Sequence, residues 1–273
     1  MKPILKHYHF AEDVVAFSTT RKGGVSEGKY GEFNINAYCG DLPEHIVANK
    51  KLLAEVLGLS EQHIFMPHQV HGTEIRQIGE ELGSMPASVR QMILEGVDAV
   101  MTNVPGYCIG VSTADCIPVL LYDEEYHAAA AIHAGWRGTV ARIVMKTIAM
   151  MHTSFGTAPQ HLKAVVGPGI SLEHFEVGDE VYKQFAEAAF DMKQLAELRP
   201  NTAFKDETGC MEPPLKWHIN LPLCNVLQLQ QAGVLAQNIE QTDICTYAQS
   251  DEYFSARRLG IESGRIYTAI ILK

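Results

Sequence analysis

The segments IPVLLYD (117–123), AAAAIHA (128–134), GWRG (135–138) and TVARIVMKTIAMMHTSF (139–155) run almost end to end, and their reading decides the fold. The first two are short apolar runs bounded by turn residues and read as strands. Gly135 and Gly138 mark a turn, and the last segment spaces its apolar residues at roughly helical intervals until Gly156 stops it. A strand-turn-helix unit is the simplest reading.

Working outward, IFMP (64–67), TEIRQI (73–78), VDAVMT (97–102) and YCIGVST (107–113) extend the strand-rich middle, interrupted by one longer segment from Glu80 to Glu95. Toward the start, VVAFSTT (14–20) reads as a strand and RKGGVSEGKYGEFN (21–34) as a glycine-rich loop that lets backbone approach a ligand. Leu42 to Leu57 has helical spacing and ends at Gly58. Downstream, LKAVVGPGI (162–170) reads as a buried strand with a glycine turn, VGDEVYKQFAEAAF (177–190) as a helix, Ile219 to Ala232 as a helix stopped by Gly233, and RIYTAIILK (265–273) as a strand. Strands and helices interleave without a strict βαβ rhythm. This favours a mixed α/β fold, a mixed sheet or two packed sheets flanked by helices, over a barrel of parallel strands. Residues 1–273 are expected to form a single domain, with Arg199 to Pro214 as a loop or lid inside it.

Composition narrows the function. Hydrophobic residues make up 47% of the 273 and charged residues 20%, as in soluble globular domains. The net charge of −10, from 22 Lys+Arg against 32 Asp+Glu, argues against the cationic footprint that nucleic acids require. A small anionic ligand needs only one or two arginines and is not excluded. The opening MKPILKHYHFAEDVVAF has polar residues where a secretory signal needs an apolar core, and no window approaches the roughly 18 apolar residues of a membrane span, so a cytoplasmic location is expected. The six cysteines lack a CxxC pair, which leaves most of them as small core hydrophobes.

Three clusters place metal-competent or nucleophilic side chains beside small residues at strand ends, where open sheets usually hold ligands: HQVHG (68–72), STADC (112–116) and HAGWRG (133–138). The thiolate of Cys116 with the imidazoles of His71 and His133 makes a good zinc donor set with a fourth position open. Their separations, 71 to 116 and 116 to 133, are not a local finger spacing. A Cys116–His133 nucleophile pair and purely structural roles therefore stand beside the metal reading. Asp115 is a candidate proton acceptor or support for the ligands, and Arg137 sits by a helix N-terminus. Arg21 in the glycine loop is a candidate anion binder, and YFSARR (253–258) offers Arg258 for stacking or anion pairing, although a surface helix explains that segment equally well. Trp136 reads as packing. The HYH at 7–9 is solitary, so a three-copper oxidase site is not assembled.

HQVHG, DAVMTN, STADCIPVLLYD, AAIHAGWRGT, VGPGI followed by FEVG, CTYA, and YFSARR before a final GR strand, in this order, resemble the laccase-domain family of purine nucleoside phosphorylases with adenosine deaminase and methylthioadenosine phosphorylase activity, some of them named peptidoglycan editing factors. The resemblance implies an α/β/β/α sandwich and zinc held by His71, Cys116 and His133, with copper as an adventitious occupant. It implies a purine nucleoside and phosphate as partners; a monomer or a homodimer is expected. Asp115, Cys116 and Arg137 become the expected catalytic residues, and Arg21 and Arg258 the expected substrate contacts. The sequence departs from the family at Ala37, Tyr38 and Cys39, at Glu173 and His174, and at Lys50, where arginine is usual.

Two attacking groups are compatible with that site: a metal-activated water at C6 of adenine, or phosphate at C1′ of the sugar. A cysteine hydrolase or amidase built on Cys116, and a non-catalytic editing factor, are the rival expectations.

Overall fold

The computed structural model describes residues 2–201 and 214–273. Its elements are β1 (Leu5–Tyr8), β2 (Val14–Thr19), α1 (Pro43–Leu57), β3 (Ile64–Phe65), β4 (Ile75–Gln77), α2 (Ala87–Ile93), β5 (Ala99–Thr102), β6 (Cys108–Thr113), β7 (Ile117–Asp123), β8 (Ala128–Ala134), α3 (Trp136–Val140), α4 (Ile143–Phe155), β9 (Leu162–Val166), β10 (Glu176–Val177), α5 (Asp179–Glu187), α6 (Met192–Leu195), β11 (Ala196–Pro200), β12 (Leu215–Ile219), α7 (Leu221–Gln231), β13 (Ile239–Gln241), α8 (Ala256–Leu259) and β14 (Ile266–Leu272).

Two large sheets carry the fold, one in the order β1-β2-β14-β6-β3 and one in the order β13-β9-β7-β8-β5-β4. Both are mixed: β3 pairs parallel with β6, β4 with β5 and β13 with β9, while the remaining ladders are antiparallel. The reason is legible in β7 and β8, which are buried on both faces. Ile117, Val119 and Leu121 pack with Ile143, Val144, Ile148 and Leu229 of the helices. Leu120 and Tyr122, one residue out of phase, pack with Val111, Ile270 and Ala16 of the other sheet. A two-residue period with apolar side chains at both phases can only be satisfied by covering both faces. On its far side the first sheet presents Phe17, Cys108, Tyr267 and Ala269 to Leu53 of α1 and to Phe33 and Ile35. The layers are therefore α/β/β/α, as expected.

Helix α1 ends where Gly58 enters the left-handed region at φ 67. Other boundaries differ from the sequence reading. The segment from Glu80 to Glu95 contains a 3₁₀ turn at Glu80–Ser84 and the helix α2. The long helix after β8 begins earlier, at Trp136, and is broken at Arg142, which takes φ 62. The break is held by tertiary contacts: the Arg142 guanidinium donates to Ala188 O at 2.8 Å and lies 3.7 Å from the centre of the Phe190 ring. Ile219 closes a strand before α7 begins, because β10, β12 and β11 form a small third sheet. The expected lid from Arg199 to Pro214 is at its ends a paired ladder, with Arg199 opposite Lys216 and Pro200 opposite Leu215; its middle, 202–213, lies outside the described residues. No helix among the described residues is long and apolar enough to cross a membrane.

Candidate metal centre

The alternation that buries β8 also aims His133. Ala129 and Ala131 face the other sheet, so His133, two residues on, points into the space between the sheets at the end of the strand. Cys116 precedes Ile117, which faces the helices, and so shares the side of His133. His71 reaches the same point from a loop. The ligand atoms of His71, Cys116 and His133 all lie within 4.8 Å of one another, and the two imidazoles meet edge to face with centroids 4.8 Å apart.

A carboxylate that the sequence reading passed over holds this cluster in place. Asp98, fully buried, accepts a hydrogen bond from His133 Nδ1 at 2.7 Å, and its carbonyl accepts from the His133 amide at 2.8 Å. Its carboxylate also accepts from the amides of His71 at 2.9 Å, Gly72 at 2.7 Å and Val70 at 3.3 Å. One side chain thus fixes the His133 ring, leaving Nε2 free for a metal, and the backbone that carries His71. Burial opposes the charge on Asp98, but the hydrogen bond and charge of His133 and the amide donors outweigh it and hold the carboxyl below its ordinary value. Gln69 pins the other side of the loop, accepting from Ser112 N and donating to Ser112 O, both at 2.7 Å. His71 itself sits at φ 63, a backbone state such a doubly anchored loop can sustain.

Burial also opposes a thiolate at Cys116, yet His133 and His71 beside it bring the thiol well below its ordinary value, while Cys116 and Asp98 raise His133 despite its burial. A softened thiol and two imidazoles match the donor chemistry of zinc, and of copper. Gly135 provides the remaining room. A Cβ there would meet His71 Cδ2 at 3.0 Å and Cys116 Sγ at 3.1 Å. Beside the cluster opens a cavity of about 220 Å³, whose wall includes Tyr38, His68, Gln69, Ser112 and Arg265. His68 is paired with Glu95 at 2.6 Å and stacks on Tyr38 at 3.9 Å between ring centres.

The other expected site residues lie elsewhere. Asp115 turns the chain at φ 85, and its carboxylate accepts from Thr246 Oγ1 and from the Arg257 amide, both at 2.7 Å, so it anchors the start of α8; the support expected of it comes from Asp98. Arg21 spends its guanidinium inside the protein, donating to Gly31 O at 2.8 Å, Ser250 O at 2.7 Å and Gly28 O at 3.4 Å, and so ties the glycine loop instead of presenting a fork to substrate. Arg137 is exposed over the Trp136 ring and Arg258 over the Tyr247 ring, and neither is on the cavity wall. Among the described residues, His71, Cys116 and His133 are the one group of this kind, so several copper centres are not assembled from them.

A two-sheet α/β/β/α sandwich with a His₂Cys cluster at the end of the inter-sheet core defines the class. Residues 15–273 match the family model described as multi-copper polyphenol oxidoreductase laccase, and the chain belongs to that family. It is 46% identical over 256 residues, 94% of this chain and 90% of the relative, to a protein of Bacteroides thetaiotaomicron named purine nucleoside phosphorylase. It is 37% identical over 262 residues, 96% of this chain and 95% of the relative, to adenosine deaminase RL5 from an unknown prokaryotic organism. The crystal structure of the Bacillus licheniformis hypothetical protein YfiH superimposes with a TM-score of 0.83 at 25% identity, covering 95% of this chain and 93% of that one.

Proposed function

We propose that this chain is a metal-dependent purine nucleoside phosphorylase that also deaminates adenosine, with His71, Cys116 and His133 holding zinc. The observation that carries the reading is the convergence of these three donors, oriented through Asp98, on a cavity of small-molecule size. The names of the relatives supply the substrate class, purine nucleosides with phosphate or water as the attacking partner. Zinc so held would supply a Lewis acid and lower the pKa of water toward neutrality.

The chain's own residues do the rest. Asp98 keeps His133 in the tautomer whose Nε2 faces the cluster. His68, on the cavity wall and backed by Glu95, is the side chain placed to carry a proton to or from a bound ligand. Tyr38 and His68 offer stacked rings against which a purine can lie. Asp115 acts through position, holding the turn that presents Cys116.

Chromatography of products from adenosine tests the reading. Inosine formed without phosphate reports deamination, and adenine formed only with phosphate reports phosphorolysis. Activity should fall with chelator and return with zinc, at about one metal per chain. No turnover of adenosine, inosine or methylthioadenosine by zinc-loaded protein would sink the proposal.

A second reading has its own support, since a softened Cys116 against a raised His133 is also the electrostatic pairing of a cysteine nucleophile. Metal-free protein that is active, and is killed by alkylation at Cys116, would favour it.

A further inference from the structure

With Arg21 satisfied internally and Arg137 and Arg258 exposed away from the cavity wall, the chain still needs a cation for an anionic reactant. The structure has two in a larger cavity next to the metal-side one. This second cavity, of about 580 Å³, lies between α1, β3 and α2, and Tyr38 is on the wall of both. Its floor is apolar, with Leu53 and Phe65, and two cations enter it, Lys50 from α1 and Arg90 from α2.

Neither cation is fully satisfied. The Lys50 ammonium makes no hydrogen bond or ion pair among the described residues, and its burial lowers its affinity for the proton, with Glu61 opposing that shift from a distance. Arg90 donates through Nη1 to Gln62 O at 2.5 Å, but its Nε is buried with no acceptor. A buried donor left without an acceptor, as Arg90 Nε is, costs stability unless a ligand supplies the oxygen. Charged groups on this wall are Lys50, Arg90 and Glu61, so it carries a net positive charge in a chain whose formal charge is −10. Two other half-buried cations are already engaged. Lys163 is held by Glu124 and the Phe10 carbonyl, and Arg265, on the metal-side wall, by the carbonyls of Ile261, Ser263 and Gly264.

We propose that Lys50 and Arg90 form a phosphate-binding subsite adjoining the metal-side cavity across Tyr38. A phosphate group offers several acceptor oxygens and at least one negative charge, which matches one free ammonium and one free guanidinium N–H. The inference rests on the proposed purine chemistry for its biological sense, though the subsite itself is a matter of binding. The phosphate has two possible sources, inorganic phosphate as co-reactant or the monoester of a nucleotide whose base lies toward the metal.

Isothermal titration of the full chain with inorganic phosphate, adenosine 5′-monophosphate and adenosine separates these. If free phosphate is the ligand, inorganic phosphate binds wild type and binds Lys50→Gln at least about tenfold more weakly. If the monoester is the ligand, the nucleotide binds wild type about tenfold or more tightly than adenosine, and Lys50→Gln erases that margin. In either case Lys50→Arg retains binding, and Arg90→Gln weakens it with the same ligand preference. The proposal is overturned if neither phosphate species binds wild type, or if both bind Lys50→Gln as they bind wild type while its melting temperature shows it folded. Nucleoside turnover does not enter these titrations. Failure to turn over adenosine would sink the proposed activity and leave the subsite standing, and Lys50-independent phosphate binding in an active enzyme would do the reverse.

Discussion

Asp98 holds together three candidate metal-binding residues that sequence distance keeps apart. Its carboxylate joins the end of β8 to the loop carrying His71, across separations of 35 and 27 residues. Asp98→Asn should therefore lower zinc affinity about 10- to 100-fold, measured by competition with a chromophoric chelator, while far-ultraviolet circular dichroism stays that of wild type. His68 is predicted to act on the reaction and not on the metal: His68→Asn should reduce kcat for adenosine about 10²-fold or more with zinc content unchanged. The cysteines differ in kind. Cys108 and Cys224 are pushed up to about 12 by burial, whereas Cys116 is brought down to about 6 by His133 and His71 against its burial. A lowered thiol is thiolate above its pKa and loses reactivity as pH falls through it. In metal-stripped protein, iodoacetamide should label Cys116 with a half-maximal rate near pH 6 and leave Cys108 and Cys224 unlabelled through about pH 9. Zinc should suppress the labelling, and His133→Asn should move the half-point up toward the ordinary thiol value of about 8.5.

At the scale of elements, the turn between β8 and α3 decides how close the ligands come. Gly135 has φ −67, which any residue tolerates, so an added methyl acts by crowding alone. Gly135→Ala should force His71 or Cys116 aside and weaken zinc binding at least about tenfold, read by the same competition titration, with little loss of fold. How far the sequence shows these elements depends on what causes them. Strands β7 and β8 are visible because both phases of their period are apolar, and α1 because Gly58 ends it. The break at Arg142 is invisible, because the side-chain contacts that hold its left-handed backbone are to Ala188 and Phe190, far along the chain. The small sheet of β10, β12 and β11 is missed for a related reason: Ile219 has no signal separating the end of a strand from the start of α7. His71, Cys116 and His133 stand out by chemical type, which a reader can see one at a time. Asp98 and Gln69 do not, since an acid at the head of VDAVMT and an amide in HQVHG acquire meaning only when β5, β6 and β8 are brought together. Arg21 errs the other way: a glycine-flanked arginine looks like an anion fork until Gly28, Gly31 and Ser250 turn their carbonyls toward it.

For the whole molecule, the site is a seam. His133 and Cys116 end and begin strands of one sheet, Gln69 grips Ser112 of the other, and the His71 loop bridges them at the open end of the inter-sheet core. An ion bound there adds a cross-link between the two sheets at the point where their shared apolar layer runs out. Metal binding should thus be felt as global stability and not only as activity. A ligand that binds the folded state alone stabilises it by about 2.7 kcal/mol at a free concentration of 100 times its Kd. In domains of 150–250 residues each kcal/mol raises Tm by about 2–4 °C. Saturating zinc should raise the melting temperature of metal-stripped protein by several degrees in scanning calorimetry, and Cys116→Ser, which keeps the shape but removes the thiolate, should lose most of that rise. Asp98→Asn should retain a smaller rise that reappears at higher zinc, because the donors survive and only their orientation is relaxed. A zinc-independent melting temperature in the wild type would show that the seam closes without an ion and would favour the cysteine-nucleophile reading of the same three residues.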